Sequence, residues 1–179
     1  APVRIRAFFD EPTNTVSYLV SDAATGAAAI IDPVLDFDQA SGRIGTASAD
    51  AMLAAAGGLD VVLLLETHAH ADHLSAAGYL KARTGAAIGI GARIDEVQAI
   101  FRPRFGLGTD APERFDRLLE DGDRIALGSL EIAVIATPGH TPAGCRSCGA
   151  RSPTNVWSPP AARCSAATAR CSANAWPRR

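Results

Sequence analysis

Three of the chain's four histidines fall within six residues, in Thr67-His68-Ala69-His70-Ala71-Asp72-His73, directly after the apolar run Val61-Val62-Leu63-Leu64-Leu65. Aliphatics without polar alternation read as a strand buried on both faces, and such a strand ends at the rim of a sheet, where ligands bind. His68 and His70 are two apart, so on extended backbone both imidazoles point to one side. Asp72 and His73 follow, close enough to add an oxygen and a nitrogen to the same ion or to a neighbouring one. His140, between Pro138 and Pro142 after a strand-like run over 132–135, is the remaining histidine and the source of a further ligand. The pattern nominates His68, His70, Asp72, His73 and His140 as metal ligands, with Asp72 also the carboxylate assigned to catalysis. A plainer role competes at Asp72, which stands where the N-cap of a helix over about 73–83 would stand; both roles can hold.

The composition bounds the class. At 179 residues with 47% hydrophobic content, the chain can bury a core of ordinary domain size. No apolar run approaches the ~20 residues of a membrane span and no charged-then-apolar leader opens the sequence, so a cytoplasmic protein without membrane contact is expected. A formal net charge of −2 argues against a nucleic-acid surface. That total hides an asymmetry: residues 1–143 carry 19 acids and 11 Lys+Arg, whereas 144–179 carry six arginines and no acid. All four cysteines (Cys145, Cys148, Cys164, Cys171) and both tryptophans lie in the second stretch, which has one valine and neither leucine nor isoleucine. Residues 1–143 are therefore expected to form the domain, and 144–179 an irregular tail, disordered or translated out of frame. A zinc knuckle built from Cys145-x2-Cys148 and Cys164-x6-Cys171 competes, but its second pair is oddly spaced.

Alternation in Val3-Arg4-Ile5-Arg6-Ala7 predicts a half-buried strand, and turn chemistry over 10–14 leads to a second strand over 15–20. A third strand over 27–31 ends at Asp32-Pro33, where proline keeps its predecessor out of helix. The sequence then predicts a loop over 34–46, a helix from about Asp50 to Gly57-Gly58, the buried strand, and the helix to Arg83. A short strand over 87–90, a helix over 94–101, a loop over 102–112 and a short helix over 113–119 come next. A hairpin over 125–136, turning at Gly128-Ser129, brings the chain to His140. Strand-helix-strand order around the motif makes the domain α/β (α+β).

The histidine-rich segment, together with Thr137-Pro138-Gly139-His140-Thr141, resembles the metallo-β-lactamase superfamily. Phe8-Phe9-Asp10-Glu11-Pro12-Thr13-Asn14-Thr15, Ile31-Asp32-Pro33-Val34 and Glu66-Thr67-His68 resemble in particular its persulfide dioxygenases and their β-lactamase-like relatives. The likeness covers nearly all of residues 3–143 and implies an αββα sandwich with the metal at one edge, of which this chain holds the N-terminal half to two-thirds. It also implies Fe(II) held by His68, His140 and a downstream carboxylate, in an enzyme that oxidises glutathione persulfide with O₂ to sulfite and glutathione. His70, Asp72 and His73 would then be the second zinc position of hydrolytic members such as glyoxalase II, or its remnant.

The sequence departs from that family after Ala143. The Gly-Asp-Thr-Leu type segment that supplies the carboxylate is absent, and no Asp or Glu follows Glu131. Three functions stay open: an iron-dependent sulfur dioxygenase, impaired in this chain; a Zn(II)-dependent thiolester hydrolase of the glyoxalase II type; and an inactive metal-binding remnant. The expected partner is a small-molecule thiol or persulfide. Asp72 could replace the lost carboxylate, but it is expected to face the second-site side of the motif.

Overall fold

The computed structural model describes residues 3–104, 106, 115–137 and the backbone of 145–151. In chain order the strands are β1 (Val3–Asp10), β2 (Thr15–Asp22), β3 (Ala27–Ile31), β4 (Val34–Leu35), β5 (Phe37–Asp38) and β6 (Arg43–Ile44), followed by helix α1 (Ala47–Ala55). After these come β7 (Asp60–Glu66), β8 (Leu74–Ser75), α2 (Ala77–Thr84), β9 (Ala87–Gly91) and α3 (Ile94–Arg104). The last four are β10 (Arg117–Leu119), β11 (Arg124–Leu127), β12 (Leu130–Ala136) and β13 (Cys145–Arg151).

A six-stranded sheet in the order β1-β2-β3-β7-β9-β10 forms the centre. Its first three strands are antiparallel, and from β3 onward neighbours are parallel. Helices α1 and α2 cover one face, where Met52 and Leu80 pack with Leu19, Ile30, Leu64 and Ile88. The sheet β11-β12-β13 covers the other, where Leu127, Leu130, Ile132 and Val134 meet Val20, Leu63 and Leu65. Helix, sheet and sheet are three layers of the expected αββα sandwich. Each such aliphatic contributes roughly 1.5–3 kcal/mol on full burial, so β7, which feeds both cores, is the spine of the domain. Val62 breaks the expectation of a strand buried throughout, since it is exposed while Leu63, Leu64 and Leu65 are buried. Among the described residues no helix is long and apolar enough to cross a membrane.

Several local expectations give way to tertiary pairing. The helix expected over 113–119 is in part strand: Arg117–Leu119 lies parallel to β9, docked by Asp116, whose carboxylate accepts the Ile88 N–H at 2.7 Å and pairs with Lys81. The helix expected from 73 begins at Ala77, because Leu74 and Ser75 are drawn into an antiparallel pair with Leu35 and Val34. Asp72 is therefore not its N-cap; the Ser75 hydroxyl accepts the Ala77 N–H instead, at 3.0 Å. The expected loop over 34–46 holds β4 and the small hairpin β5–β6, and α3 continues to Arg104. α1 starts at Ala47, ahead of Asp50, and Thr46 offers no side-chain cap. Asp36, at the hairpin base, takes that part by accepting the Ser48 N–H at 2.9 Å, while its backbone carbonyl receives Gly45 N–H at the same distance. In the expected irregular tail, Cys145–Arg151 forms β13, antiparallel to β12 in the register Ala136↔Cys145, because β12 offers it an open edge to pair with. The rest of the tail, including Cys164 and Cys171, lies outside the described residues.

One buried carboxylate joins the two sheets. Asp22, fully inaccessible at the end of β2, accepts hydrogen bonds from Ala24 N–H at 2.9 Å, Thr25 Oγ1 at 2.8 Å, Ser129 N–H at 2.6 Å and Ser129 Oγ at 2.7 Å. The Ser129 hydroxyl, then the Ala24 and Ser129 N–H groups, hold its carboxyl well below the usual range against the opposing effect of burial. Ser129 approaches this closely because Gly128 turns the β11–β12 hairpin at φ +62°, where a Cβ would stand 2.0 Å from Thr25 Oγ1 and 2.6 Å from Asp22 Oδ2.

Gly128→Ala should therefore destabilise the protein by about 2–4 kcal/mol, from the left-handed backbone cost plus the clash. Gly26→Ala, also at positive φ but with nothing within 4 Å of its Cβ, should cost only about 1–2 kcal/mol. Urea unfolding of both variants checks this, and equal losses would show that the inter-sheet contact at Gly128 is not tight.

Candidate metal centre

The motif leaves the end of β7 and sits where the parallel strands present their C-terminal ends, as the sequence predicts. Its geometry is set from below by Asp32, the residue just after β3. Asp32 Oδ1 accepts Thr67 N–H at 2.7 Å, Oδ2 accepts Thr67 Oγ1 at 2.8 Å, and Oδ1 also meets His70 Nε2 at 2.9 Å. Glu66, only 4% exposed, places Oε2 3.1 Å from the same His70 nitrogen and receives the Ser75 hydroxyl on Oε1. The inner edge of the His70 ring is thus held by two carboxylates, and its outer nitrogen Nδ1 faces Asp72 Oδ1 at 3.9 Å.

The three imidazoles of the motif form one cluster, with ring centroids 4.2 Å apart for His68 and His70 and 4.1 Å apart for His70 and His73. His68, His70 and Asp72 offer ligand atoms that all lie within 4.8 Å of one another. Asp72 lies beside His73 and His70, its Oδ1 3.5 Å and 3.9 Å from their Nδ1 atoms, and is also within reach of His68. It is the most open member, with its side chain 55% exposed, whereas the His73 side chain is only 1% exposed. His140 lies outside the described residues.

Protonation follows from this arrangement. Burial pushes the His70 imidazolium down, but the hydrogen bonds and negative charge of Asp32 and Glu66 outweigh it and raise the group to about 10. Burial raises Glu66, so the pair retains protons readily. Burial, followed by the positive charge of His70, lowers His73 and keeps it neutral. The neutral ring has one buried nitrogen, Nε2, with no hydrogen-bond partner among the described residues. A buried nitrogen lone pair without a donor is costly unless an ion takes it, and the neighbouring group of two imidazoles and a carboxylate, His68, His70 and Asp72, is a donor set that suits zinc or iron. Asp32, Glu66 and His70 also form a metal-capable trio, but their facing atoms are committed to one another and to Thr67 and Ser75. We therefore assign Asp32 and Glu66 to orienting His70 and the outer group to the ion.

Comparison with known proteins agrees with the fold. The sequence model described as Metallo-beta-lactamase superfamily matches residues 10–151, so the chain belongs to that superfamily. The matched stretch runs past the boundary expected at Ala143 and takes in β13. Within the superfamily, the chain is 53% identical over 144 residues to a protein of Burkholderia pseudomallei named Probable metallo-hydrolase, covering 78% of this chain and 49% of that one. It is 33% identical over 145 residues to the mitochondrial persulfide dioxygenase ETHE1 of Bos taurus, covering 81% and 47% respectively. The crystal structure of ETHE1 from Myxococcus xanthus superposes with a TM-score of 0.58 at 29% identity, over 79% of this chain and 52% of that one. The chain spans about half the length of each of these three proteins.

Sequence reasoning named the outer ligands and missed the supports Asp32, Glu66, Thr67 and Thr15. Two signals could have found some of them: a carboxylate before proline at a strand end, and an acid closing an otherwise aliphatic run.

Removing the orienting carboxylate in Asp32→Ala should weaken zinc binding by about 10–100-fold, measured by chelator competition. Unchanged affinity would show that Asp32 serves the loop alone. The raised His70 also gives a pH signature. In the metal-free protein its stabilisation is fully present below the ordinary value of 6.5 and is lost as pH climbs through about 10. An ion bound at Nδ1 must displace that proton, so apparent metal affinity should rise with pH by about tenfold per unit for each proton released. Calorimetry in buffers of different ionisation enthalpy counts the protons, and zero release would overturn the assignment.

Proposed function

We propose that this chain carries the metal-binding half of an enzyme that oxidises a small-molecule persulfide, with glutathione persulfide as substrate and sulfite and glutathione as products. The observation that carries the reading is the grouping of two imidazoles and one carboxylate, His68, His70 and Asp72, within 4.8 Å of one another. Such a set suits a mononuclear Fe(II), which would supply open positions for O₂ and for sulfur. The likeness to a persulfide dioxygenase over 81% of the chain supports the same substrate class. In this reading Asp72, the exposed carboxylate, supplies the oxygen ligand. His68 and His70 bind through rings whose orientation Thr67, Asp32 and Glu66 hold.

A second reading has its own observation. The buried His73 Nε2 is a further donor beyond what three ligands to one iron require, and the 53% identical relative is named a metallo-hydrolase. Two Zn(II) ions and a glutathione thiolester substrate would use all four motif residues.

The test is to load the metal-free chain anaerobically with Fe(II) or with Zn(II) and assay both chemistries. O₂ uptake on glutathione persulfide by the iron form, lost by at least about 100-fold in His68→Ala, is the expected result. Turnover of a glutathione thiolester by the zinc form alone would replace the first reading with the second. Binding of either metal without turnover in both assays would leave the chain a metal-binding remnant.

A further inference from the structure

Thr15 opens β2, 57 residues before Asp72, and belongs to no part of the motif, yet its hydroxyl touches both motif residues of the outer position. Thr15 Oγ1 lies 3.3 Å from Asp72 Oδ2 and 3.3 Å from His73 Nδ1. Its third polar neighbour is Thr13 Oγ1 at 3.0 Å, which is tied to the Asp10 carboxylate at 2.6 Å. The hydroxyl has one proton and two oxygen neighbours, Asp72 Oδ2 and Thr13 Oγ1, of which Asp72 is charged and so the stronger acceptor. With its proton on an oxygen, Thr15 Oγ1 can meet His73 only as an acceptor, and His73 Nδ1 must then carry the ring proton. Asp72 Oδ1, 3.5 Å from the same nitrogen, favours the same tautomer. The opposite tautomer would bury an Nε2–H with no acceptor among the described residues.

The arrangement repeats one seen on the other side of the cluster. There Thr67 Oγ1 donates to Asp32 and lies 2.9 Å from His68 Nδ1. A carboxylate, a threonine hydroxyl and an imidazole Nδ1 stand in series at each end: Asp32–Thr67–His68 and Asp72–Thr15–His73. The first series is local to the motif, whereas the second reaches across to the β1–β2 turn.

We propose that Thr15 is a positioning residue for the metal centre: its hydroxyl holds His73 in the Nδ1–H tautomer beside Asp72, so that the Nε2 lone pair is the one presented to an ion. This rests on the metal-centre reading of the motif and on neither choice of reaction. These contacts set the orientation of the His73 ring, so less ordering remains to be done when an ion binds.

Thr15→Val keeps the shape and the strand propensity and removes only the hydroxyl; Thr15→Ser restores it. In metal-free protein labelled with ¹⁵N-histidine, wild type and Thr15→Ser should show His73 as the Nδ1–H tautomer, while Thr15→Val should show a mixture or the Nε2–H form. Zn(II) titration against a competing chelator should show binding at the position that includes His73 weakened by about 10-fold or more in Thr15→Val and retained in Thr15→Ser. Amide spectra of the three proteins should superpose away from residues 10–17 and 66–75, which separates loss of the hydroxyl from loss of the fold. An Nε2–H tautomer in wild type, or Thr15→Val indistinguishable from wild type in both measurements, overturns the inference. A wild-type chain that binds no Zn(II) overturns the metal-centre reading, and with it the ligand-presenting role of Thr15.

Discussion

Everything at the candidate metal centre depends on how Asp32 is held. Its backbone sits at φ +48°, a conformation that Asp tolerates better than most residues and that still costs of order 1 kcal/mol. The cost is offset because every polar group of the residue is used. Its N–H donates to Leu65 O at 2.8 Å, its C=O accepts the Ser17 hydroxyl at 2.6 Å, and its carboxylate takes Thr67 and His70. Three adjacent strands, β2, β3 and β7, are thereby stitched together at the point where the motif leaves the sheet. The turn that Asp32 makes before Pro33 also sends β4 across to meet β8, which fixes the chain on the far side of the motif.

The seven-residue motif is clamped at both ends and supported in the middle, and its rings cluster. Order of this kind is not produced by apolar packing alone, since the buried His70 and His73 rings need partners for their nitrogens. It comes from charged hydrogen bonds to groups that the sheet positions. The protonated His70 between Asp32 and Glu66 is the clearest case. Two buried carboxylates sharing one ring would repel each other strongly if nothing positive stood between them. The centre therefore couples metal chemistry to the integrity of the six-stranded sheet.

How much of this could be read from the sequence divides along the same line. The strand β7, the hairpins β1–β2 and β11–β12, and the clustering of His68, His70, Asp72 and His73 were legible, because apolar pattern, turn residues and histidine spacing are local signals. The helix expected over 113–119 was not, because Arg117, Leu118 and Leu119 have no decisive preference and the free edge of β9 decides for strand. Asp72 as a helix cap was a sound local inference overturned by two residues, Leu74 and Ser75, whose pairing with β4 delays the helix. The start of β13 in a stretch of small and polar residues could not be seen either, since its partner β12 supplies the order. Thr15 and Asp32 act on the motif from distances of 57 and 35 or more residues along the chain. No windowed pattern reaches that far.

The hairpin β5–β6 has a part to play in how this domain can change over time. Its exposed cross-strand pair, Phe37 and Ile44, adds nothing to either core, so the hairpin looks dispensable. Its base is not, because the carboxylate of Asp36 caps α1 through Ser48 and its carbonyl closes the turn against Gly45. Insertions, deletions and free drift can accumulate between these two residues without disturbing the helix layer. An excision that took Asp36 with it would leave the first turn of α1 without a side-chain acceptor. Variation among descendants of this sequence has a fenced plot in which to occur, and Asp36 and Gly45 are its posts.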